Sequence, residues 1–183
     1  MQNAEQLQSG LEHVRKAPCG EGKLVLLVRR PAPEERELLE RGLLDTERGL
    51  VGDDWSQRPN AQTDDGGPDP DAQITLMGAR AAALVAGGQD HERWASAGDQ
   101  LYVDLDLGVA NLPVGTLLAI GEAVLEVTAE PHLGCGKFSR RFGVDALKFV
   151  NSAVGRELRL RGVNARVIES GEISPGDGVR KLD

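Results

Sequence analysis

The residue best suited to chemistry is Cys135, which lies in the segment Pro131-His-Leu-Gly-Cys-Gly-Lys-Phe138. Gly134 and Gly136 flank it, so neighbouring side chains leave the sulfur uncovered and a bulky ligand can approach the backbone closely. Three cations follow it: Lys137, Arg140 and Arg141. Because nearby cations and a helix N-terminus lower the pKa of a thiol, we expect an accessible thiolate rather than a small buried hydrophobe.

Positive charge is concentrated around this cysteine in an acidic chain. The formal net charge is −8 at pH 7, whereas residues 131–166 hold eight basic and two acidic residues, a net charge of +6 that leaves −14 for the rest. Some of these arginines are expected on outer faces, and the remainder would favour an anionic small molecule with a phosphate group. The acidic total and an aromatic content of 3% argue against nucleic acid as a partner.

The remaining cysteine and the three histidines do not predict a second reactive or metal-binding site. His132 is either a proton partner or second cation for Cys135, or a turn histidine without a function. Cys19 lacks comparable surroundings and is expected to be incidental. His13 and His91 lie in unrelated segments, so no zinc site with the usual His and Cys spacing is predicted. The sequence also lacks a P-loop, a dinucleotide-binding glycine motif and a nucleophile elbow.

The two cysteines are far apart, as is usual for reduced thiols in a cytosolic protein. The segment from Met1 to Leu11 is polar, and no stretch approaches the length of a membrane span. We therefore predict a soluble cytoplasmic protein without a membrane partner.

Short apolar runs separated by turn residues dominate the chain and predict β-strands. The predicted strands are residues 23–30, 74–77, 101–107, 117–120, 123–127, 158–160, 163–168 and 178–182. Gly121-Glu122 is typical of a hairpin turn, and Ser174-Pro-Gly-Asp177 predicts another turn. This pattern favours a mainly β fold with peripheral helices, built as a closed or nearly closed β-barrel, since closure removes exposed edges.

Helices are predicted where apolar residues recur at helical spacing. They are residues 4–16, 34–41, 79–86 and 138–150. Residues 52–72 form a long loop, either functional or mobile, whose aspartates lack the spacing of a calcium-binding loop. We predict an N-terminal helical extension over residues 1–22 and one barrel domain over residues 23–183.

The order of motifs around Cys135 resembles the MOSC domain, the C-terminal domain of molybdenum cofactor sulfurases. The resemblance covers most of the chain from about Leu24 onward. The segments that carry it are Gly49–Asp53, Gln73–Met77, Asn111–Gly115, Ala119–Val127, Cys135–Phe142, Leu158–Arg166 and Gly171–Asp177. It implies a stand-alone bacterial-type member with a β-barrel similar to that of pyruvate kinase.

The resemblance also implies the role of Cys135, which either ligates molybdenum in the molybdenum cofactor (molybdopterin) or carries sulfur as a persulfide. A thiolate suits both roles, because it is a soft metal ligand and a nucleophile. The implied cofactor-binding residues are Lys137, Arg140, Arg141, Asn111, Arg161, Asn164 and Arg166. Many relatives carry arginines immediately before the asparagine matched to Asn111, whereas this chain has Gly108-Val-Ala110.

Three functions stay open at this point, and the sequence does not decide whether the protein is an enzyme. The first is a molybdenum protein that reduces N-hydroxylated compounds, as some relatives do, with a redox partner. The second is a sulfur carrier served by a cysteine desulfurase, since no sulfurase domain precedes the barrel and no bound pyridoxal phosphate is expected. The third is a non-catalytic barrel that binds a small molecule.

Overall fold

A computed structural model describes residues 1–59, 63 and 66–182 of the chain. The strands are β1 (Glu21–Arg29), β2 (Glu37–Leu39), β3 (Gly42–Asp45), β4 (Gly49–Leu50), β5 (Ile74–Gly78), β6 (Leu101–Asp104), β7 (Leu117–Ile120), β8 (Ala123–Val127), β9 (Val163–Glu169), β10 (Gly171–Ile173) and β11 (Gly178–Lys181). The helices are α1 (Ala4–Ser9), α2 (Leu11–Arg15), α3 (Ala79–Ala86), α4 (His91–Ala95), α5 (Gly136–Phe142), α6 (Val144–Val150) and α7 (Ala153–Glu157), with 3-10 turns at Asp54–Gln57 and Pro70–Ala72.

Seven strands close a barrel in the order β1, β11, β7, β8, β9, β5, β6 and back to β1. Every neighbouring pair is antiparallel except β5 and β6, which run parallel on either side of the connection through α3 and α4. β2 pairs with the outer part of β1, and β3, β4 and β10 form a small separate sheet. The predicted closed β-barrel with peripheral helices is confirmed.

Two apolar layers lie on opposite sides of strands β1, β5 and β6. Leu27 and Leu76 point into the barrel core, whereas Val28, Met77 and Tyr102 belong to a second core under the helices. Because both faces of these strands are buried, they appear in the sequence as continuous apolar runs. The second core also contains Phe138 and Phe142, and it therefore holds α5, the helix that follows Cys135.

Two predicted elements were wrong. Residues 34–41 were expected to be helical, but they contain β2, where Leu39 packs on the barrel core and Leu38 on the helical layer. That alternation of faces suits a strand and overrides the helix signal of the glutamates. Residues 158–160 were predicted to form a strand, but they form the turn that follows α7. The Ser152 side chain caps the N-terminus of α7.

Glycines divide two of the predicted helices. Gly143 separates α5 from α6 with φ +98°, a conformation that other residues rarely adopt. Gly10 separates α1 from α2, and a Cβ there would lie 2.3 Å from the Leu84 side chain.

The N-terminal helices pack on the barrel domain through Leu7 and Leu11, which are buried in the same layer as Phe142. The division at residue 23 stays a prediction. Asp64 and Asp65 of the predicted acidic loop lie outside the described residues. Within the described part of the chain, no helix is long and apolar enough to cross a membrane.

Candidate functional site

Cys135 occupies the N-cap position of α5 and is exposed to solvent. Its position is fixed from both sides of the sequence. Phe138, one turn into the helix, is 1% exposed and anchors α5 in the second core. On the other side, the Asn151 amide accepts a hydrogen bond from the Gly134 N–H at 2.9 Å and donates one to the Gly134 carbonyl at 3.0 Å. The thiol is therefore held on a rigid backbone although its sulfur is accessible.

The thiol pKa lies below its ordinary value. Partial burial raises the pKa of Cys135. The backbone N–H groups of Phe138 and Lys137 and the charges of Arg161 and Lys137 lower it, and their combined effect is larger. The exposed N–H groups at a helix start favour negative charge for the same reason that they bind anions. The fraction of thiolate at neutral pH is consequently raised, as the sequence predicted from its surroundings.

Lys137→Gln is expected to slow alkylation of Cys135 at pH 7 by about two- to fivefold, the effect of losing an exposed charge interaction of ~0.5–1 kcal/mol. The rate of reaction with iodoacetamide against pH, in a Cys19→Ser background, measures this. The profile of the variant should shift to higher pH. Lys148→Gln, on the exposed face of α6, is the matched control and should leave the profile unchanged. Coincident profiles for Lys137→Gln and its parent would show that the Lys137 charge does not act on the thiol.

Cys135 opens into a cavity of about 550 Å³ that is rich in cations. Its positively charged lining residues are Arg30, Arg36, Arg58, Lys137, Arg141 and Arg161. Three acidic residues also line it: Glu34, Asp54 and Glu130. These side chains come from the segment between β1 and β2, the first 3-10 turn and the residue after it, the segment before α5, α5 itself and the turn before β9. Only the folded chain brings them together.

The segment after α4 orients three of these arginines. Three successive backbone carbonyl oxygens of this segment each accept a hydrogen bond from one guanidinium group. The bonds are Arg141 to Ser96 at 2.7 Å, Arg161 to Ala97 at 3.0 Å and Arg30 to Gly98 at 2.9 Å. The segment thus holds three guanidinium groups around one wall of the cavity.

Most of the cavity cations have a carboxylate partner. The pairs are Arg30 with Asp53 at 2.7 Å, Arg58 with Asp54 at 2.6 Å, Arg161 with Asp99 at 2.6 Å, Lys137 with Glu34 at 3.0 Å, and Arg141 also with Glu34. Hydrogen bonds from Lys137 and Arg141, together with their charges, lower the pKa of Glu34 to about 2. A single exposed carboxylate therefore pairs with both cations beside the thiol and compensates only part of their positive charge.

Arg36 differs from the other cavity cations. Among the described residues it has no carboxylate within ion-pair distance, and its buried Nε has no hydrogen-bond partner. Burial, and then the charges of Arg141 and Arg30, lower the pKa of Arg36. Such a desolvated and repelled cation is stabilised by an added anion.

A buried network of Asp99, His132 and Arg161 forms the floor of the cavity. Asp99 is fully buried, and its two oxygens lie 2.6 Å from Nε2 of His132 and 2.6 Å from a terminal nitrogen of Arg161. Burial raises the pKa of Asp99, but the Arg161 charge and the hydrogen bonds from both partners lower it to about 2. An ionised Asp99 accepts a hydrogen bond from each neighbour, so the Nε2 of His132 carries the proton.

His132 is neutral at pH 7 as a result. Burial and the Arg161 charge lower its pKa, and the opposing effect of Asp99 is smaller. Its Nδ1 has no partner within the described ranges of the chain, and it is free to accept a proton.

The free energy of unfolding should therefore decline as the pH falls below about 6.5. As the pH falls, His132 is protonated in the unfolded chain before it is protonated in the native protein. This group therefore leaves the free energy of unfolding unchanged above pH 6.5 and lowers it by up to ~1.4 kcal/mol per pH unit below that value. Urea unfolding at a series of pH values measures the slope, which His132→Gln should remove. His13→Gln, at an exposed position of α2, should keep the slope. If the two variants behave alike, His132 is not the group that titrates.

The cavity unites six of the residues that the sequence singled out: Cys135, His132, Lys137, Arg141, Arg161 and Asn164. The other three lie outside its lining. Arg140 is exposed on α5. Asn111 donates a hydrogen bond to the Asp106 carbonyl at 2.7 Å, and Arg166 pairs with Glu126 at 3.1 Å on the outer face of β9.

Several site residues were missed by sequence reasoning. Arg30 and Arg36 lie far from Cys135 in the chain, and the only hint was a basic strand end followed by prolines. Asp99 carried no signal, because an isolated acidic residue in a turn is usually solvated. Glu34 was interpreted as the first residue of a predicted helix.

The cavity suits an anionic cofactor that contains a soft metal. Cys135 offers a thiolate, a ligand preferred by soft metals. The unpaired buried Nε atoms of Arg36 and Arg161 offer donors for anionic oxygens. No group of three or more His, Cys, Asp or Glu side chains that could hold a metal occurs among the described residues.

A model of the MOSC domain matches residues 68–180 of the chain. The chain belongs to the MOSC domain family. Arg30, Glu34 and Arg36 of this MOSC protein precede the matched residues and belong to the part of the cavity built by β1 and the segment after it. No curated protein matches the chain in sequence.

Solved structures share the fold. YuaD from Bacillus subtilis has a TM-score of 0.65 at 16% identity, over 89% of this chain and 97% of that one. YiiM from Escherichia coli has a TM-score of 0.56 at 18% identity, over 88% and 70% of the two chains. YiiM from Geobacillus stearothermophilus has a TM-score of 0.58 at 13% identity, over 88% and 75%. At these identities the likeness establishes the fold alone.

Proposed function

We propose that this MOSC protein binds the molybdenum cofactor with the Cys135 thiolate as a ligand of the metal. The observation that carries the proposal is the position of a low-pKa, exposed thiol at the edge of a cavity lined by six cations. Such a lining favours a ligand that contains both a soft metal and an anionic phosphate group.

Arg36 is the residue we assign to the phosphate of the pterin. It is the cavity cation without a carboxylate partner in the described part of the chain, and it gains most from an incoming anion. Lys137 and Arg141 are assigned a second anionic contact, for which the Glu34 carboxylate competes in the absence of ligand. Arg161 stays paired with Asp99 and shapes the cavity floor.

We propose the reduction of N-hydroxylated compounds as the reaction. When bound, the cofactor would supply two-electron redox chemistry, with electrons from an external redox partner. Breaking the N–O bond of R–NH–OH consumes two electrons and two protons and gives R–NH2 and water. His132, whose Nδ1 accepts protons at the cavity floor, is assigned to the transfer of protons from solvent.

Metal analysis tests the proposal. Protein purified without air from a host that synthesises the cofactor should contain molybdenum in near-stoichiometric amount, and protein from a host that lacks the cofactor should not. The loaded protein with a chemical reductant should convert a hydroxylamine into its amine. Metal-free protein from the competent host would overturn the proposal.

A second function is favoured by the exposure of Cys135. A sulfur carrier needs a thiolate that a cysteine desulfurase can reach, and the Cys135 sulfur is accessible at the surface. Mass spectrometry after incubation with a desulfurase and cysteine should then show one added sulfur on Cys135 and none on Cys19. Cys19 serves as the internal control, because it is also exposed. An unmodified Cys135 would exclude this role.

We also propose a cytoplasmic location. Both cysteines are free thiols, a state that reducing compartments maintain. Fractionation of cells that express the protein tests the location directly.

A further inference from the structure

A second cavity, of about 320 Å³, adjoins the cation-rich cavity beside Cys135, which we call the thiol cavity. The two share a wall made by Glu130, Pro131, His132, Arg161 and Asn164. The second cavity extends from this wall along α7 and the start of β9, away from Cys135, which does not line it. Its volume lies at the lower end of the range of about 300–1,000 Å³ that is typical of small-molecule sites.

One side of this cavity is apolar and in part exposed. Val150 and Val163 form its base, and Val114 and Leu133 form its rim. Val114 is 57% exposed and Leu133 is 45% exposed, which places both among the few large apolar side chains that the described surface leaves open. Two such residues at one cavity mouth favour contact with the apolar part of a ligand.

Arg159 is one of the cations that line this cavity. Its guanidinium donates to the backbone carbonyl of Leu112 at 2.5 Å and approaches that of Leu107 at 3.5 Å. No carboxylate of the described residues pairs with it, and burial alone lowers the pKa of Arg159. Like Arg36, it is a partly desolvated cation that an anion would stabilise.

The backbone of Arg159 is also held in a strained conformation. Its φ of +47° lies in the left-handed region, which is unfavourable for residues other than glycine. The hydrogen bonds from the Leu160 N–H to Gly155 and from the Gly162 N–H to Arg159 tie the turn down on both sides. The turn thereby fixes the backbone of Arg159 at the wall of the cavity.

We propose that this second cavity is a binding site for a small amphipathic anion, with an apolar or aromatic body against Val114 and Leu133 and an acidic group paired with Arg159. Arg156, which also lines the cavity and has no carboxylate partner in the described part of the chain, adds to the positive field at the acidic end. The site does not depend on a metal at Cys135. Its shared wall at His132 places a bound molecule beside the thiol cavity.

Binding of 1-anilinonaphthalene-8-sulfonate, a two-ring anion whose fluorescence rises in apolar surroundings, tests the proposal. We expect saturable binding of one equivalent, with its neutral counterpart N-phenyl-1-naphthylamine bound at least about tenfold more weakly, since a hydrogen bond to a charged group is worth about 1.5–3 kcal/mol. Arg159→Gln should remove this preference for the anion. Leu133→Ser, at an exposed position outside the core, should weaken the binding of both probes.

Matched variants identify which cavity the probe occupies. Arg36→Gln changes the thiol cavity alone, and Cys135→Ser removes the proposed metal ligand, so both should leave probe binding unchanged. Arg41→Gln, an exposed arginine on the small sheet side, controls for net charge. Loss of binding in Arg36→Gln with retention in Arg159→Gln and Leu133→Ser would overturn the proposal, as would equal binding of the two probes. Because Cys135→Ser separates the sites, failure here is distinguishable from failure of the molybdenum proposal.

Discussion

Cys135→Ser is expected to abolish tight molybdenum binding while leaving the fold intact. Serine is isosteric but offers a hard, protonated hydroxyl where the thiolate offers a soft anionic donor. Loss of a group that merely supports a metal ligand costs about 10–100-fold in affinity, so loss of the ligand itself should cost at least about 100-fold. The measurement is the ratio of molybdenum to protein after purification from a cofactor-competent host.

Cys19→Ser is the control for this experiment. Cys19 is likewise a free, exposed cysteine, but its sulfur lies 3.9 Å from the Asp106 carboxylate and does not line the cation-rich cavity. Its substitution should leave the metal content unchanged. Equal molybdenum in wild type and Cys135→Ser would exclude Cys135 as a ligand even if the protein binds the cofactor.

Asp99→Asn should destabilise the protein by about 3–5 kcal/mol, the usual cost of removing one partner of a buried ion pair. The Arg161 side chain is only 8% exposed, and in the variant its charge would lack a buried counter-ion. His132 would lose its ionised acceptor at the same time. Urea unfolding at pH 7, monitored by circular dichroism, gives the difference in the free energy of unfolding.

Asp145→Asn is the matched control, because Asp145 is exposed on α6. Its substitution should change stability by less than about 0.5 kcal/mol. A second measurement uses pH: since the pKa of Asp99 is lowered to about 2, its contribution is present above pH ~4 and is lost as the pH falls toward 2. Wild type should show this loss and Asp99→Asn should not. If Asp99→Asn is as stable as Asp145→Asn, the buried network does not hold the cavity floor.

The elements that depend on local pattern were predictable from sequence. Strands β7 and β8 flank the Gly121 turn as expected, and α3 ends at Gly87, which adopts φ +80°. The two wrong elements show the limit of that approach. Leu38 and Leu39 form a strand only because the barrel and the helical layer lie on opposite sides of β2. Local sequence contains no information about either layer.

By itself, the sequence determined the barrel class, the family resemblance and the setting of Cys135, because these depend on residues that are adjacent in the chain. The glycines and the lysine that surround the thiol lie within two residues of Cys135 in the chain. The tertiary structure alone decided which distant charges share the cavity. Arg36 lines the same cavity as Cys135 only in the folded chain, and Asp99 is brought there to pair with His132 and Arg161 beneath it. Burial then determines the protonation of His132, since desolvation and the Arg161 charge exist only in the folded chain.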